Sequence, residues 1–310
     1  MVNEIPSLIA QPAPETRKSP FMEAMRRLLH HRSAQVGLII LGFLILVAIF
    51  AGVIAPFNPI KPLTGVVRRS PPCIHILGCP ASQPQHIMGI DSNNRDFFSR
   101  VIYGSRLSLI IGIVTVSGAI LIGAVIGAVA GFMGGWLDTS MMRVMDVFLA
   151  FPGLLLALAI VAALGPGLVN ALIAIGLVSI PVYARIVRAS VLSTKDMEYV
   201  QASRALGASN GHLLFSRVLP NAFTPLMVRA TLGIAVVILD AAALSFLGLG
   251  AEKPTPEWGL MLGEERNSVF NAPHLVFFPG IAIMITVLAF NLIGDGLRDA
   301  LDPRLSQPGS

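Results

Sequence analysis

Several residues in this sequence have types and spacings that could do chemistry. Gly207-Ala-Ser-Asn-Gly211 fits the G-x-S-x-G string in which a serine becomes a nucleophile. That use needs a strand before the serine, a helix after it, and His and Asp partners. Here a helical pattern precedes Ser209 and His212 is its near neighbour, so the string reads as a turn. No H-E-x-x-H occurs, and His30, His31, His75, His86, His212 and His274 all fall outside the long apolar runs, so no intramembrane zinc site is expected. None of Lys18, Lys61, Lys195 and Lys253 follows a glycine, so the chain lacks a phosphate-binding G-K-[ST] loop. Asp240 sits well inside an apolar run. A lone carboxylate at the centre of a membrane helix costs about 2.5–3.5 kcal/mol on insertion scales. Asp240 is therefore read as a substrate contact, a proton site or a helix-to-helix hydrogen bond, with the pore-facing or structural roles favoured. Cys73 and Cys79 are the only cysteines. In an extracytoplasmic loop they could close a small disulfide ring; the alternative is two reduced thiols.

Two patterns suggest contacts rather than chemistry. Gly123, Gly127, Gly131 and Gly135 recur every four residues. On one helix, that spacing makes a face without side chains, against which another helix backbone can pack. The polar stretch from Ser193 to Gly207 reads as a short helix, with Ser193 and Asp196 as its start and Gly207 as its stop. Ser209 would cap a second short helix ended by Pro220. Tyr199, Val200, Leu206, Leu213, Leu214 and Phe215 are more apolar than a water-exposed loop needs, so they suggest a docking surface for a partner. Packing on the chain's own membrane domain is the alternative.

The elements that position these residues follow from composition. Of 310 residues, 54% are hydrophobic and only 13% are charged, against about 25% charged in soluble domains. That excludes a cytosolic globular protein and a disordered one. Nucleic-acid binding is also excluded, because the net charge of +5 is spread thinly. No cleavable signal is read, since the first apolar run is longer than the roughly 7–15 residues of a signal core. Six spans of about 20 apolar residues are read: Ala34–Ala55, Leu107–Met133, Val144–Leu164, Leu168 to about Tyr183, about Pro225–Gly250, and Leu275–Gly294. Three long connections join them: an outer loop over 56–106, an inner loop over 185–224 and a second outer loop over 251–274. With the N-terminus inside, fourteen Lys and Arg fall on the cytoplasmic side and eight outside, in the sense of the positive-inside rule. Asp138 and Asp146 are expected to pair with Arg143. No inverted internal repeat is visible, which weighs against a secondary transporter.

The loop Glu198-Tyr-Val-Gln-Ala-Ser-Arg-Ala-Leu-Gly-Ala-Ser209, followed by Arg217-Val-Leu-Pro-Asn221, resembles the EAA loop of binding-protein-dependent ABC importer permeases. Met88–Asp96, Ser99–Ser108, Met142–Pro152, Leu244–Gly250, Pro254–Gly259 and Asn291–Pro303 resemble the DppC/OppC branch of dipeptide and oligopeptide permeases, and the match runs from about residue 30 to 305. Gln201 stands where the family carries an acid, Ser203 where it carries Ala, and the Pro- and Cys-rich insert at 71–80 is outside the pattern.

The resemblance implies an all-α integral membrane protein with six transmembrane helices and a type I, MetI-like permease core. Residues 1–105 would hold an N-terminal cytoplasmic tail, the first transmembrane helix (34–55) and a large extracytoplasmic loop. Residues 106–295 would be the five-helix permease domain, with its EAA loop at 191–220, and 296–310 a cytoplasmic tail. The expected partners are a homologous second permease, two cytoplasmic ABC ATPases, an extracytoplasmic substrate-binding protein, the peptide and membrane lipid, with no nucleic acid. The chain itself would hold no cofactor and no metal and be no enzyme, ATP and Mg being bound by the ATPases. Glu198, Tyr199, Gln201, Ala202, Ser203, Arg204, Gly207, Leu219 and Pro220 would form the ATPase-coupling loop. The setting is the bacterial inner membrane with both termini cytoplasmic. Glutathione or nickel complexes are the alternative cargo, and a stand-alone transporter or channel the alternative mechanism.

Overall fold

A computed structural model describes residue 29, residues 31–80 and residues 82–301. The expected tails therefore lie largely outside the described residues, at 1–28 and 302–310. Among the described residues all regular structure is helical, apart from the isolated bridges Cys73–His86 and Ile90–Asp96.

The main helices are α1 (Arg32–Ile49), α2 (Phe97–Met133), α3 (Gly135–Leu149), α4 (Gly153–Leu164), α5 (Leu168–Thr194), α6 (Glu198–Ala205), α7 (Leu219–Phe246), α8 (Trp258–Glu265) and α9 (His274–Leu301). Five of them, α1, α2, α5, α7 and α9, are long and apolar enough to cross a membrane. The third expected span, Val144–Leu164, is not one straight helix. Helices α3 and α4 meet at a 91° bend and make a sixth span only if counted together. The cause is local: Pro152 has no N–H to continue the helix, and it disfavours helical backbone at Phe151.

The chain alternates between two ends of this bundle. The cap end carries residues 56–96 and 251–273; the loop end carries residues 195–218. Helix α2 begins at Phe97 rather than Leu107, so the expected domain division between 105 and 106 falls inside it. Its 37 residues measure about 55 Å at 1.5 Å per residue, well beyond a hydrocarbon core of about 30 Å.

Helices α2, α5 and α7 share the central core, with Ile111, Val116, Tyr183, Ala184, Val237 and Leu244 buried together. The tightest contact is between α2 and α5, which run parallel. A Cβ at Gly123 would lie 2.9 Å from the Ile180 carbonyl oxygen, and one at Gly131 3.0 Å from that of Arg188; one at Gly127 would strike the Ala184 carbonyl. Lipid tails are as apolar as these helices, so their contact rests on close van der Waals packing, which requires small residues on one side. Gly135 departs from the expectation. The helix has already ended: Gly134 and Gly135 have φ of +66° and +60°, and no neighbour lies within 4 Å of a Cβ at Gly135. The regular spacing runs on in sequence past the point where the helix stops.

Helix α1 packs on α9, with Gly37 against the backbone of Ala289 and Gly296 against Ala34. Outward-facing Ile39, Phe43, Leu121 and Val125 are exposed, as expected of surfaces that meet lipid.

Candidate functional site

At the loop end, α5 runs on to Thr194, so Ser193 lies inside it and does not start the next helix. Ser193 Oγ donates to the Ser190 carbonyl, and Met197 takes the N-cap position of α6 without a side-chain hydrogen bond. A serine one turn back can satisfy its hydroxyl within the longer helix, which packing on α2 extends.

Helix α6 ends in a Schellman turn: the Gly207 N–H donates to the Arg204 carbonyl and the Ala208 N–H to that of Ser203. Gly207 has φ of +86°, and nothing lies within 4 Å of a Cβ there. This glycine therefore serves backbone geometry and not packing. Ser209 Oγ accepts the backbone N–H of His212 at 3.4 Å; its hydroxyl is used as a helix cap. After one helical turn at Asn210–His212, residues Leu213–Val218 form a π-helical turn that leads straight into α7. Pro220 does not end a helix. It sits at the start of α7, within a helix that runs on from Asn210 to Phe246, and the π-helical turn just before it falls where the proline's missing N–H interrupts the ladder.

The apolar residues of this loop divide into two sets. Val200, Leu213 and Val218 are fully buried and pack with Val187 and Val191 of α5. Leu206 is 89% exposed and Phe215 67% exposed, with Met197 and Tyr199 less so. Thus the loop is both anchored on its own domain and apolar toward solvent. Tyr199 Oη donates to the Arg217 carbonyl at 3.2 Å and accepts Asn221 Nδ2 at 3.1 Å, which ties α6 to the start of α7. Glu198, Gln201, Ala202 and Arg204 face solvent, whereas Ser203 is half-buried and donates to the Tyr199 carbonyl. Leu219 is half-buried and Pro220 exposed.

The loop is joined to the bundle from the side. Lys195 Nζ donates to the Gly131 carbonyl at 3.0 Å, tying the end of α5 to the end of α2. Arg188 makes a bidentate pair with Asp138, and Arg185 meets Asp146 at 2.5 Å. These aspartates were expected to pair with Arg143. They turn instead toward α5, which lies alongside α3, and Arg143 is exposed.

Asp240 is half-buried on α7 and makes no hydrogen bond or ion pair within the described residues. Its helical neighbours Val236, Leu239 and Leu247 are exposed while Val237 and Leu244 are buried, so Asp240 lies at the edge of a face of α7 that this chain leaves uncovered.

The cap end holds a constellation that motif reading missed. Arg95 bonds Asp91 at 2.6 Å and Glu264 at 2.9 Å. Arg100 bonds Glu264 at 3.1 Å, lies 3.5 Å from Asp91, and donates to the carbonyls of Pro59 and Pro254. All four side chains are 4% exposed or less. Asp96 caps α2 by accepting Ser99 N–H, and it also pairs with His86 at 2.8 Å. Glu257 caps α8 by accepting the N–H groups of Gly259 and Leu260. Burial pushes the Glu257 carboxyl above its usual range, against the opposing pull of those donors. Trp258 Nε1 donates to the Val101 carbonyl, and its ring covers Gly104. Cys73 and Cys79 are joined in a disulfide. The signal for this cluster was the charge pattern Asp91, Arg95, Asp96, Arg100. Its partner acids lie some 165 residues further on (164 between Arg100 and Glu264), so only the fold brings them together.

A bundle of hydrophobic helices, with a capped loop presented at one end and an ion-paired cap at the other, defines a polytopic helical membrane protein. Residues 123–307 match the family described as binding-protein-dependent transport system inner membrane component. Residues 19–72 match the N-terminal transmembrane domain of oligopeptide transport permease C. The chain is 46% identical over 302 residues to the dipeptide transport system permease protein DppC of Alkalihalophilus pseudofirmus, covering 95% of this chain and 94% of that one. It is 42% identical over 289 residues to the glutathione transport system permease protein GsiD of Pectobacterium atrosepticum, covering 93% and 92%. The fold is also that of the inward-facing MetNI methionine ABC transporter, with a TM-score of 0.55, 20% identity, and coverage of 66% of this chain and 97% of that one. The chain belongs to the binding-protein-dependent ABC importer permeases, in the DppC/OppC branch. It is a multi-pass inner-membrane permease subunit and not a catalytic enzyme.

Proposed function

We propose that this permease passes peptides, di- or oligopeptides in the first instance, across the cytoplasmic membrane, driven by separate ATP-binding subunits. Its relatives named for dipeptide, di/tripeptide and glutathione transport support peptide-like cargo. In this reading the chain pairs with a homologous second permease, and each permease seats one ABC ATPase. ATP and Mg are bound by those ATPases, and this chain carries no cofactor. An extracytoplasmic substrate-binding protein loads the cap end. The loop end faces the cytoplasm together with both termini, in line with the excess of Lys and Arg on that side.

The observation that carries the coupling assignment is the division of the loop into two faces. Val200, Leu213 and Val218 lock it to α5, while Leu206 and Phe215 stand out in solvent. A segment rigid on one side and apolar on the other can push and be pushed. ATPase movement would enter at Glu198–Gly207 and pass through Lys195 and the glycine seam into α2, whose far end is Arg100 in the cap. Asp240, at the edge of the uncovered face of α7, would line the path or meet the second permease.

The test is reconstitution of the complete complex in proteoliposomes. Gly207→Asp should leave the complex assembled and ATP hydrolysis measurable, while peptide uptake per ATP falls at least about tenfold. Unchanged coupling would refute the assignment. Uptake by this chain alone, without ATP, would refute the importer reading and favour a stand-alone transporter.

A further inference from the structure

We infer that the cap end is a cationic docking face whose partner, the substrate-binding protein, presents an acidic surface to it. The inference rests on the importer reading above and concerns the chemistry of that contact. By sequence, acids and bases at this end nearly balance. The fold separates them. Asp91, Asp96, Glu257, Glu264 and Glu265 are withdrawn into the cap, each with a side chain or residue exposure of 3% or less. Their partners inside are Arg95, Arg100, Ser99, Ser268 and backbone N–H groups. Of the acids in the cap loops only Glu252 remains exposed, while Lys61, Arg68, Arg69, Lys253 and Arg266 are all exposed.

These bases also lie together. Arg69 Nε is 3.8 Å from Glu265 and Lys253 Nζ is 3.6 Å from Glu264. Arg266 follows Glu265 directly. Lys61 is one residue from Pro62–Leu63, and the Leu63 N–H donates to the Asn94 carbonyl beside the same network. Glu264 is already paired with Arg95 and Arg100, whereas Glu265 has only neutral partners inside and takes Arg69 as its counter-ion. Lys61, Arg68 and Arg266 have no acid within ion-pair distance among the described residues and direct their field outward. Two apolar tips stand out from the same cap: Ile76 in the disulfide ring, 95% exposed, and Phe270, 96% exposed.

A protein partner fits this better than lipid headgroups. A lipid layer asks for charge but not for a fixed shape. Here the bases ride on loops held by buried ion pairs, a disulfide and the Trp258 contact, and α2 carries them past the hydrocarbon. Complementary charge of this kind chiefly raises association rate and fixes orientation.

The experiment uses the assembled importer in nanodiscs of zwitterionic lipid, with its cognate substrate-loaded binding protein as the probe. Association rate and ATPase stimulation are followed as salt rises from about 50 to 500 mM, a range over which the Debye length falls severalfold. The wild-type rate should drop at least about tenfold across that range. The triple variant Lys61→Glu, Arg68→Glu, Arg266→Glu should show a comparable loss at low salt, with basal ATP hydrolysis unchanged. Substitution of the same three by Arg or Lys should restore the wild-type rate. If the wild-type rate is flat in salt, the inference fails even should the variant misfold. If the variant matches wild type in this assay and differs only in nanodiscs of anionic lipid, the bases serve lipid and the inference fails. If the binding protein does not stimulate the wild-type importer at all, it is the importer reading that fails.

Discussion

The two ends of this molecule hold their loops in opposite ways. At the cap end, charges are buried and the apolar anchor, Trp258, is 1% exposed. At the loop end, three aliphatic side chains are buried, while charges and large apolar groups are left outside. A buried ion network is poor at adding stability but severe when broken, because each remaining charge is stranded without water. It suits loops that must keep one shape. An aliphatic anchor with exposed Leu206 and Phe215 suits a segment whose outer face is completed by another protein. The difference teaches which end meets a partner as a fixed shape and which end needs a partner to cover its apolar face.

The largest effect should come from breaking the cap. Glu264→Ala leaves Arg95 and Arg100 sharing Asp91 as their one remaining acid, and should cost about 3–5 kcal/mol, read as a large drop in melting temperature of the purified permease. A loss near zero would mean that water reaches the cluster and that the two ends are not so different. Next comes the seam between the ends. Gly127→Leu forces a side chain into the Ala184 carbonyl and should cost about 1–3 kcal/mol or more, whereas Gly118→Leu, on α2 with no neighbour within 4 Å of its Cβ, should cost little. Equal losses at both would show that the glycine seam is not what joins α2 to α5.

Leu206→Ala with Phe215→Ala should leave melting of the free permease within about 0.5 kcal/mol yet weaken ATPase binding by about 2 kcal/mol. A stability loss with no binding loss would make the loop a purely internal element. The exposed Arg185–Asp146 pair should be worth about 0–1 kcal/mol in a double-mutant cycle. The smallest effect is one of pH. Because burial raises the Glu257 carboxyl above its value in the unfolded chain, its ionisation works against folding as pH rises through the usual carboxylate range. Glu257→Gln should match wild type in acid and gain on it toward neutrality; the opposite slope would mean that the capping N–H groups outweigh burial.

Much of this was legible in the sequence for local reasons. Long apolar runs can only be spans, and Gly207 after a polar helix can only be a stop. Misreadings came where a neighbour in space outbid a neighbour in sequence. Asp138 and Asp146 had Arg143 within a turn or two and chose Arg188 and Arg185 across a helix interface. Ser193 and Pro220 are helix signals that could be placed on either side of a boundary. The packing of α5 and α7 moved that boundary by several residues. The spacing that marked Gly123, Gly127 and Gly131 included Gly135, because a sequence repeat does not know where its helix ends.

The sequence by itself determined the membrane setting, five of the apolar spans and the glycine-ended loop, since each depends on composition or on contacts within a few residues. Tertiary structure alone decided which charges are hidden and which exposed. Asp91 and Glu264 are far apart along the chain, and the burial of one depends on the arrival of the other. Nothing short of the folded cap could turn a nearly neutral set of outer residues into a positive face.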